Sequence, residues 1–110
     1  MTTADGYILN VFRIPGLINE HYHDNAAKPP VLFQHGLFDS AYCWIVNYAD
    51  VAPAFVAARA GYDVWLGNSR GNTFSRSHTH LDPDHNEKQF WDFSWFDMGE
   101  HDLPAVIDAI

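Results

Sequence analysis

The chain has 110 residues, of which 47% are apolar, and a formal net charge of −8. This length and composition predict one small folded domain over residues 1–110 rather than a disordered tail. Eight acids but only one base, Lys88, lie between Leu81 and Ile110, so no nucleic-acid partner is expected, and no apolar run is long enough for a transmembrane segment.

The first predicted element is a strand. Asp5-Gly6 is a turn signal, and the interleaved β-branched, aromatic and polar residues from Tyr7 to Ile14 predict a strand that ends at Pro15-Gly16. The polar segment from Leu17 to Pro30 predicts a connecting loop or a hairpin to a short strand.

The next strand leads into a glycine loop. Val31 to Gln34 predicts a buried strand that runs directly into His35-Gly36, where glycine allows close backbone approach. Open α/β sheets place their sites at the carboxyl ends of parallel strands, and acyl-transfer enzymes use backbone N–H groups in such loops to hold an oxyanion. A strand followed by a simple turn is the alternative for this dipeptide alone.

A helix and a second strand follow. Ala41 to Asn47 predicts a helical turn, and Asp50 is the expected N-cap of a helix that carries Pro53 in its first turn and stops at Gly61. Tyr62 to Leu66 then predicts a strand, and the order strand, helix, strand favours a parallel crossover. The expected apolar face of the helix comprises Val51, Phe55 and Ala58.

The loop after this strand, Gly67-Asn68-Ser69-Arg70-Gly71, matches the G-x-S-x-G pattern of a nucleophile elbow. An elbow needs a helix directly after the serine, but Asn72 to Ser75 contains weak helix formers and no apolar repeat. Ser69 is therefore interpreted as a structural loop residue rather than a nucleophile. Arg70 is expected to have a carboxylate or carbonyl partner inside the fold.

Several histidines and one cysteine could suggest further chemistry. His21 and His23 have no third ligand nearby in sequence, and the polar segment from Ser75 to Gln89 has no recognisable ligand spacing, so solvated loops are favoured over metal sites. Cys43 lies between aromatic residues and is interpreted as a small buried residue. The histidines and acids of the polar segment are His78, His80, His85, Asp82, Asp84 and Glu87. We predict no metal and no cofactor.

The carboxyl-terminal part begins with aromatic residues and predicts a helix. Ser94 and Asp97 have the spacing of a capping box. Pro104 is expected to interrupt the helix, and Asp102 to restart it as an N-cap. An apolar stripe that needs a cover follows, at Leu103, Val106, Ile107 and Ile110.

Taken together, these motifs resemble the acid lipase family of α/β-hydrolases, which includes the gastric and lysosomal acid lipases. Four stretches carry the resemblance in family order: Asp5–Leu9 with Arg13–Pro15, Phe33–Leu37 with Asp39-Ser40, Gly61–Arg76, and Phe90-Trp91 through Phe93-Ser94 to Asp102–Ala105. The resemblance implies an α/β class and a partial α/β-hydrolase fold, with the first strands and helices of a mostly parallel sheet.

The resemblance also implies roles for particular residues. His35 and Gly36 correspond to the family's oxyanion loop, and Leu37 to the donor of its backbone N–H. The segment from Gly67 to Gly71 corresponds to the structural loop after the following strand. The family's nucleophilic serine lies on a strand that would follow Ile110, and its acid and histidine come later, so the chain is expected to be truncated before the nucleophile elbow.

Three functions remain open. The chain is expected to be the amino-terminal fragment of an ester hydrolase of neutral lipids, completed by a second chain or a missing carboxyl-terminal part and inactive alone. The alternatives are a non-catalytic structural subunit or degenerate piece of a larger assembly, and a small hydrolase using Ser69 with His78 or His101. No signal peptide is recognisable, although the family is usually secreted or lysosomal, so the sequence leaves the compartment open.

Overall fold

The computed structural model describes residues 1–18 and 28–110. Its elements are β1 (Tyr7–Ile8), β2 (Phe12–Ile14), β3 (Pro30–Phe33), a 3₁₀ turn (Ala41–Trp44), α1 (Pro53–Arg59), β4 (Asp63–Leu66), β5 (Ser77–His78), α2 (Glu87–Phe90), α3 (Trp95–Asp97), a π turn (Met98–Asp102) and α4 (Leu103–Ile107). The α/β class is as predicted. Most of the predicted connecting loop after Leu17, with His21 and His23, lies outside the described residues.

The sheet is organised around β4. Strand β3 pairs with it in parallel and β2 in antiparallel, giving the order β2-β4-β3. The predicted parallel crossover is therefore confirmed. Val64 and Leu66 on β4 are buried against the small side chains Ala54 and Ala58 of α1, so the helix lies over the central strand and covers one face of the sheet.

The predicted single strand from Tyr7 to Ile14 is wrong, because the chain changes sheets at its middle. Strand β1 pairs with β5, whereas β2 pairs with β4. Between them the Asn10 N–H donates to the Ser75 hydroxyl at 3.0 Å, and the Asn10 carbonyl accepts from the Asn68 side chain at 3.1 Å. Side chains thus satisfy the backbone groups that a continuous strand would use for pairing.

The polar segment predicted as a loop also contains regular structure. Strand β5 pairs with β1, and the Thr79 N–H donates to the Gly6 carbonyl at 2.9 Å. The His78 ring packs edge-on against Tyr7 with centroids 4.8 Å apart. Pairing with a distant strand, rather than local propensity, makes the start of this segment extended. Helix α2 begins within the segment, before the predicted end of the loop at Gln89.

The start of α1 differs from the prediction. The N-cap residue is Ala52 rather than Asp50, and no side chain caps this end. Pro53 occupies the first turn as predicted, where its fixed φ suits a helix start and its missing N–H costs nothing. The N–H groups of Val51 and Ala52 donate instead to the Tyr48 carbonyl. The residues before the helix thus form a backbone turn, and the helix stops before Gly61 as predicted.

The buried face of α1 also differs from the apolar face predicted by spacing. Ala58 is buried as expected, but Val51 is 52% exposed and Phe55 is only partly buried. Ala54 takes the central contact instead. The close approach of the helix to β4 selects small side chains for this face, whereas the helical spacing of apolar residues takes no account of the available depth.

The carboxyl-terminal helix begins as predicted but does not break. Ser94 and Asp97 form the capping box. Asp102 is not an N-cap, because its backbone is helical, with φ −71° and ψ −49°, and it makes no capping hydrogen bond. The Leu103 N–H instead donates to the Met98 carbonyl five residues earlier, which defines a π turn through which the helix continues.

The side chain of Asp102 is directed to Arg70, which is only 2% exposed. The backbone N–H and the Nε of Arg70 each donate to Asp102 at 2.8 Å. Its remaining guanidinium nitrogens donate to Asp5 at 2.6 and 2.9 Å, and the guanidinium lies 4.0 Å from the centroid of the Tyr7 ring. Arg70 is predicted to have a carboxylate or carbonyl partner inside the fold, and it has two carboxylate partners there.

The two carboxylates respond differently to this guanidinium. Burial opposes the ionisation of Asp5, but hydrogen bonds from Arg70 and Thr3 outweigh it and lower the pKa of Asp5 to about 2. Burial raises the pKa of Asp102, and hydrogen bonds from Arg70 counter this only in part. The contribution of Asp5 to stability is present above its ordinary pKa of about 3.9 and is lost as the pH falls through about 2.

Part of the apolar surface has no cover among the described residues. Of the described strands only β4 pairs with β3, so the other edge of β3 is unpaired there. Val106 in the carboxyl-terminal stripe is buried, whereas Leu103, Ile107 and Ile110 are exposed. None of the described helices is long and apolar enough to cross a membrane.

We predict that Arg70→Ala destabilises the folded protein by about 3–5 kcal/mol, because it leaves the buried Asp102 without its cation. Ser69→Ala is the matched control next to it and should cost about 1 kcal/mol or less, since it removes one neutral hydrogen bond. The measurement is the urea midpoint of unfolding of each variant. If the chain alone does not unfold cooperatively, both variants are measured in a longer chain that supplies further strands of the sheet. Equal losses for the two variants would contradict this ranking.

We also predict that the 110-residue chain expressed alone binds a hydrophobic dye, exchanges amide protons quickly or self-associates. The physical reason is the edge of β3 that is unpaired among the described strands, together with the exposed apolar side chains of Leu103, Ile107 and Ile110. Dye fluorescence, hydrogen exchange and sedimentation measure these properties. A monomer with a sharp cooperative melt and slow exchange in Val31–Gln34 is the opposite result.

Candidate functional site

Two loops meet at one edge of the sheet. Gln34 to Leu37 follows β3, and Gly67 to Gly71 follows β4. Because β3 and β4 are parallel neighbours, the loops after them emerge side by side. They border an open groove of about 630 Å³, which aromatic side chains, including Trp91 and Trp95, line from the other side. The site predicted at the carboxyl end of β3 thus has a concave surface next to it.

His35 joins the two loops and is only 7% exposed. Its Nδ1 lies 2.6 Å from the Gly36 carbonyl oxygen. Its Nε2 lies 3.1 Å from the Ser69 backbone N and 3.1 Å from Nδ2 of Asn72. The imidazole therefore bridges the loop after β3 and the loop after β4 from the interior.

Asn68 forms a second bridge that the sequence did not reveal. It is 1% exposed, its Oδ1 accepts from the Ala41 N–H and from Nδ2 of Asn72, each at 2.9 Å, and its Nδ2 donates to the Asn10 carbonyl. One buried amide thus ties the loop after β4 to the 3₁₀ turn and to the break between β1 and β2. The only sequence signal is the placement of Asn68 directly after a buried strand.

The Gly36–Leu37 peptide is the part of the loop next to the groove. The Gly36 carbonyl accepts from the Asp39 N–H at 3.1 Å in addition to its contact with His35. Leu37 is 52% exposed and lines the groove. Among residues 1–18 and 28–110, the Leu37 N–H donates to no acceptor.

Ser69 is bound on both its side chain and its backbone. Its hydroxyl oxygen accepts from Nε2 of Gln34 at 2.9 Å, and its N–H donates to His35. Gln34 passes so close to Gly67 that a β-carbon at that position would lie 2.2 Å from Oε1 of Gln34. Any larger residue would require the Gln34 side chain to move away from position 67, so packing favours the first glycine of the G-x-S-x-G pattern.

The histidines considered as partners of Ser69 make other contacts. Nε2 of His78 lies 3.0 Å from the Asp5 carbonyl, and its Nδ1 accepts from the His80 and Leu81 N–H groups. His101 belongs to the π turn and makes no hydrogen bond with Ser69. The imidazole that does contact Ser69, that of His35, contacts its backbone N–H, so no general base among residues 1–18 and 28–110 reaches this hydroxyl.

The remaining candidate groups stay apart. In the part of the chain that the structure describes, no three potential metal ligands converge. His85 lies 3.0 Å from Asp82, which also accepts from the N–H groups of Asp84 and His85 as a turn residue does. Burial raises the pKa of the Cys43 thiol, and the neighbouring Asp39 raises it further, so the thiolate is disfavoured there.

Comparison with known proteins identifies relatives of the whole segment. The α/β hydrolase fold family matches residues 29–110, and the family described as the partial α/β-hydrolase lipase region matches residues 1–48. Lipase lipl-1 of Caenorhabditis elegans is 51% identical over 109 residues, which are 98% of this chain and 26% of that protein. Gastric triacylglycerol lipase of Mus musculus is 51% identical over 111 residues, covering 100% of this chain and 27% of that protein.

Lipase 1 of Drosophila melanogaster is 49% identical over the full chain and is covered to 23% of its length. The chain thus spans about a quarter of the length of the relatives it matches. Both family matches and these identities agree with the motifs found in the sequence. The chain therefore belongs to the acid lipase family of α/β-hydrolases and corresponds to its amino-terminal part.

Proposed function

We propose that this chain contributes the oxyanion loop to a serine hydrolase of neutral lipid esters. The observation that carries the proposal is the Leu37 N–H, which has no acceptor among the described residues and lies beside an open groove at the carboxyl end of a parallel strand. Catalysis of acyl transfer needs such a donor, aimed at the position where charge develops.

In this reaction a serine hydroxyl attacks the ester carbonyl, and the carbonyl oxygen becomes an oxyanion in the tetrahedral intermediate. The Leu37 N–H would donate to that oxygen, with His35 and Gly36 shaping the loop. The segment from Gly67 to Gly71 supports the loop without taking part in the chemistry. The nucleophile, its histidine and its acid would come from the carboxyl-terminal part of the fold, as a continuation or as a second chain.

The groove supports an apolar acyl ester as the substrate. Its volume of about 630 Å³ lies in the range of small-molecule sites, and Leu37, Phe38 and Trp95 form part of its wall. These side chains present apolar surface next to the proposed donor. An acyl chain could therefore lie along the aromatic wall while its carbonyl carbon meets a nucleophile at the loop.

The alternative is a non-catalytic subunit that kept the fold and lost the chemistry. Such a subunit has no need for a backbone donor left open at the edge of a groove. The Leu37 N–H, which has no acceptor among the described residues, therefore favours the catalytic proposal, and restoration of activity distinguishes the two.

We predict that the chain alone does not turn over short acyl esters above a denatured control. Fused to the carboxyl-terminal part of a relative such as mouse gastric triacylglycerol lipase, it should regain turnover. Leu37→Pro in the active fusion removes the N–H and should lower kcat about 10²–10³-fold, the usual effect of losing one oxyanion donor. Initial rates across a range of ester concentrations separate kcat from KM.

The control is the unchanged fusion, with thermal melting used to verify that the variant is folded. A folded fusion without turnover would favour the non-catalytic subunit. Clear esterase activity from the unfused chain, or covalent labelling of Ser69 by a fluorophosphonate, would contradict the proposal and identify Ser69 as a nucleophile.

A further inference from the structure

The Gly36–Leu37 peptide group has two polar ends with different surroundings. The structure contains no cis peptide bond among the described residues, so the Gly36 carbonyl and the Leu37 N–H lie in one plane and point in opposite directions. Any contact that holds the carbonyl therefore also sets the direction of the N–H. A rotation of this plane by half a turn would replace the outward donor with an outward acceptor.

Two donors hold the Gly36 carbonyl. Nδ1 of His35 lies 2.6 Å from it, and the Asp39 N lies 3.1 Å from it. If the plane were turned over, both donors would face an N–H instead of an oxygen. Since His35 is buried, its Nδ1–H would then be left without an acceptor, which is unfavourable.

The contacts at the other ring nitrogen determine which nitrogen of His35 carries the proton. Nε2 faces the Ser69 backbone N and Nδ2 of Asn72, both of which can only donate. Nε2 must therefore be the acceptor, and a neutral imidazole with an unprotonated Nε2 carries its proton on Nδ1. The Ser69 N–H thus selects the tautomer that can donate to the Gly36 carbonyl.

The Ser69 N–H is itself held in place by the next residue. The backbone N–H and the guanidinium of Arg70 are both bound to Asp102 in the π turn. The Ser69 hydroxyl is bound to Gln34. The donor that selects the tautomer therefore lies on a segment fixed to the carboxyl-terminal helix and to the end of β3.

We propose that His35 is a positioning residue for catalysis: its Nδ1–H holds the Gly36 carbonyl inward so that the Leu37 N–H points to the oxyanion. This inference deepens the proposed function and depends on it. It assigns Ser69 a role through its backbone N–H, which sets the His35 tautomer, and not through its hydroxyl. His35 itself touches no reacting atom.

Two substitutions separate the two ends of the imidazole. In His35→Asn the amide nitrogen takes the place of Nδ1 and can still donate to Gly36, but nothing reaches Ser69. In His35→Gln the amide oxygen takes the place of Nε2 and can still accept from Ser69, but nothing reaches Gly36. Each variant is introduced into the active fusion, and kcat, KM and the melting temperature are measured.

The positioning role predicts opposite orders for activity and stability. We expect His35→Gln to lower kcat about 10–100-fold with KM changed less than about threefold, because the loss is confined to the transition state. We expect His35→Asn to lower kcat less than His35→Gln does, although it melts at the lower temperature of the two. A purely structural role would make kcat follow the melting temperature, and that outcome would overturn the inference.

The proposed function and this inference can fail separately. Replacing Leu37 with its α-hydroxy acid analogue exchanges the N–H for an oxygen and keeps the side chain. Unchanged kcat in that variant refutes the proposed function. A large loss there together with unchanged kcat in His35→Gln refutes only the positioning role. Nitrogen NMR of the His35 ring decides the tautomer independently of activity, and a proton found on Nε2 would overturn the inference.

Discussion

The buried guanidinium of Arg70 is the constraint on which the rest of this structure depends. It joins the turn before β1 through Asp5, the loop after β4 through its own backbone, and the carboxyl-terminal helix through Asp102. A buried cation without partners is costly, so these three segments have to converge on it. The π turn follows from the same requirement, because it carries Asp102 on a helix that continues past it.

The candidate site depends on this convergence. Arg70 fixes the position of Ser69, the Ser69 N–H reaches His35, and His35 holds the loop that carries Leu37. The sheet alone would determine where the strands end, but it would not determine the orientation of the Gly36–Leu37 peptide plane. Ion pairing in the interior and the orientation of a donor at the surface are thus parts of one network.

Features determined by local chemistry could be predicted from the sequence. The capping box of Ser94 and Asp97, the turn of Ala41–Trp44, and the parallel pairing of β3 with β4 depend on residues close together or on a strand, helix, strand order. The resemblance to acid lipases rested on motifs as long as Gly61–Arg76, and the comparisons confirmed the family. Short patterns with strong local preferences carry this information.

Features determined by distant partners could not be predicted. Asp102 has the local properties of an N-cap, yet its partner, Arg70, lies 32 residues away. Asn10 sits within an extended pattern, but bonds to Asn68 and Ser75 divide the strand there. The tautomer of His35 depends on which backbone group contacts its ring. The spacing of residues in the sequence does not reveal that contact. In sequence, an aspartate next to helical residues is equally compatible with a helix N-cap and with an ion pair to a buried arginine. Only the three-dimensional fold determines which of the two roles its carboxylate has.

The central claim is that the Leu37 N–H binds the oxyanion. The most direct measurement is a crystal structure of the active fusion inhibited by an alkyl phosphonate, whose phosphonyl oxygen mimics the oxyanion. We predict that this oxygen lies about 2.7–3.1 Å from the Leu37 nitrogen, with the Gly36 carbonyl directed at His35. A phosphonate bound to Ser69, or a phosphonyl oxygen facing the Gly36 carbonyl or held by other donors, would contradict the claim.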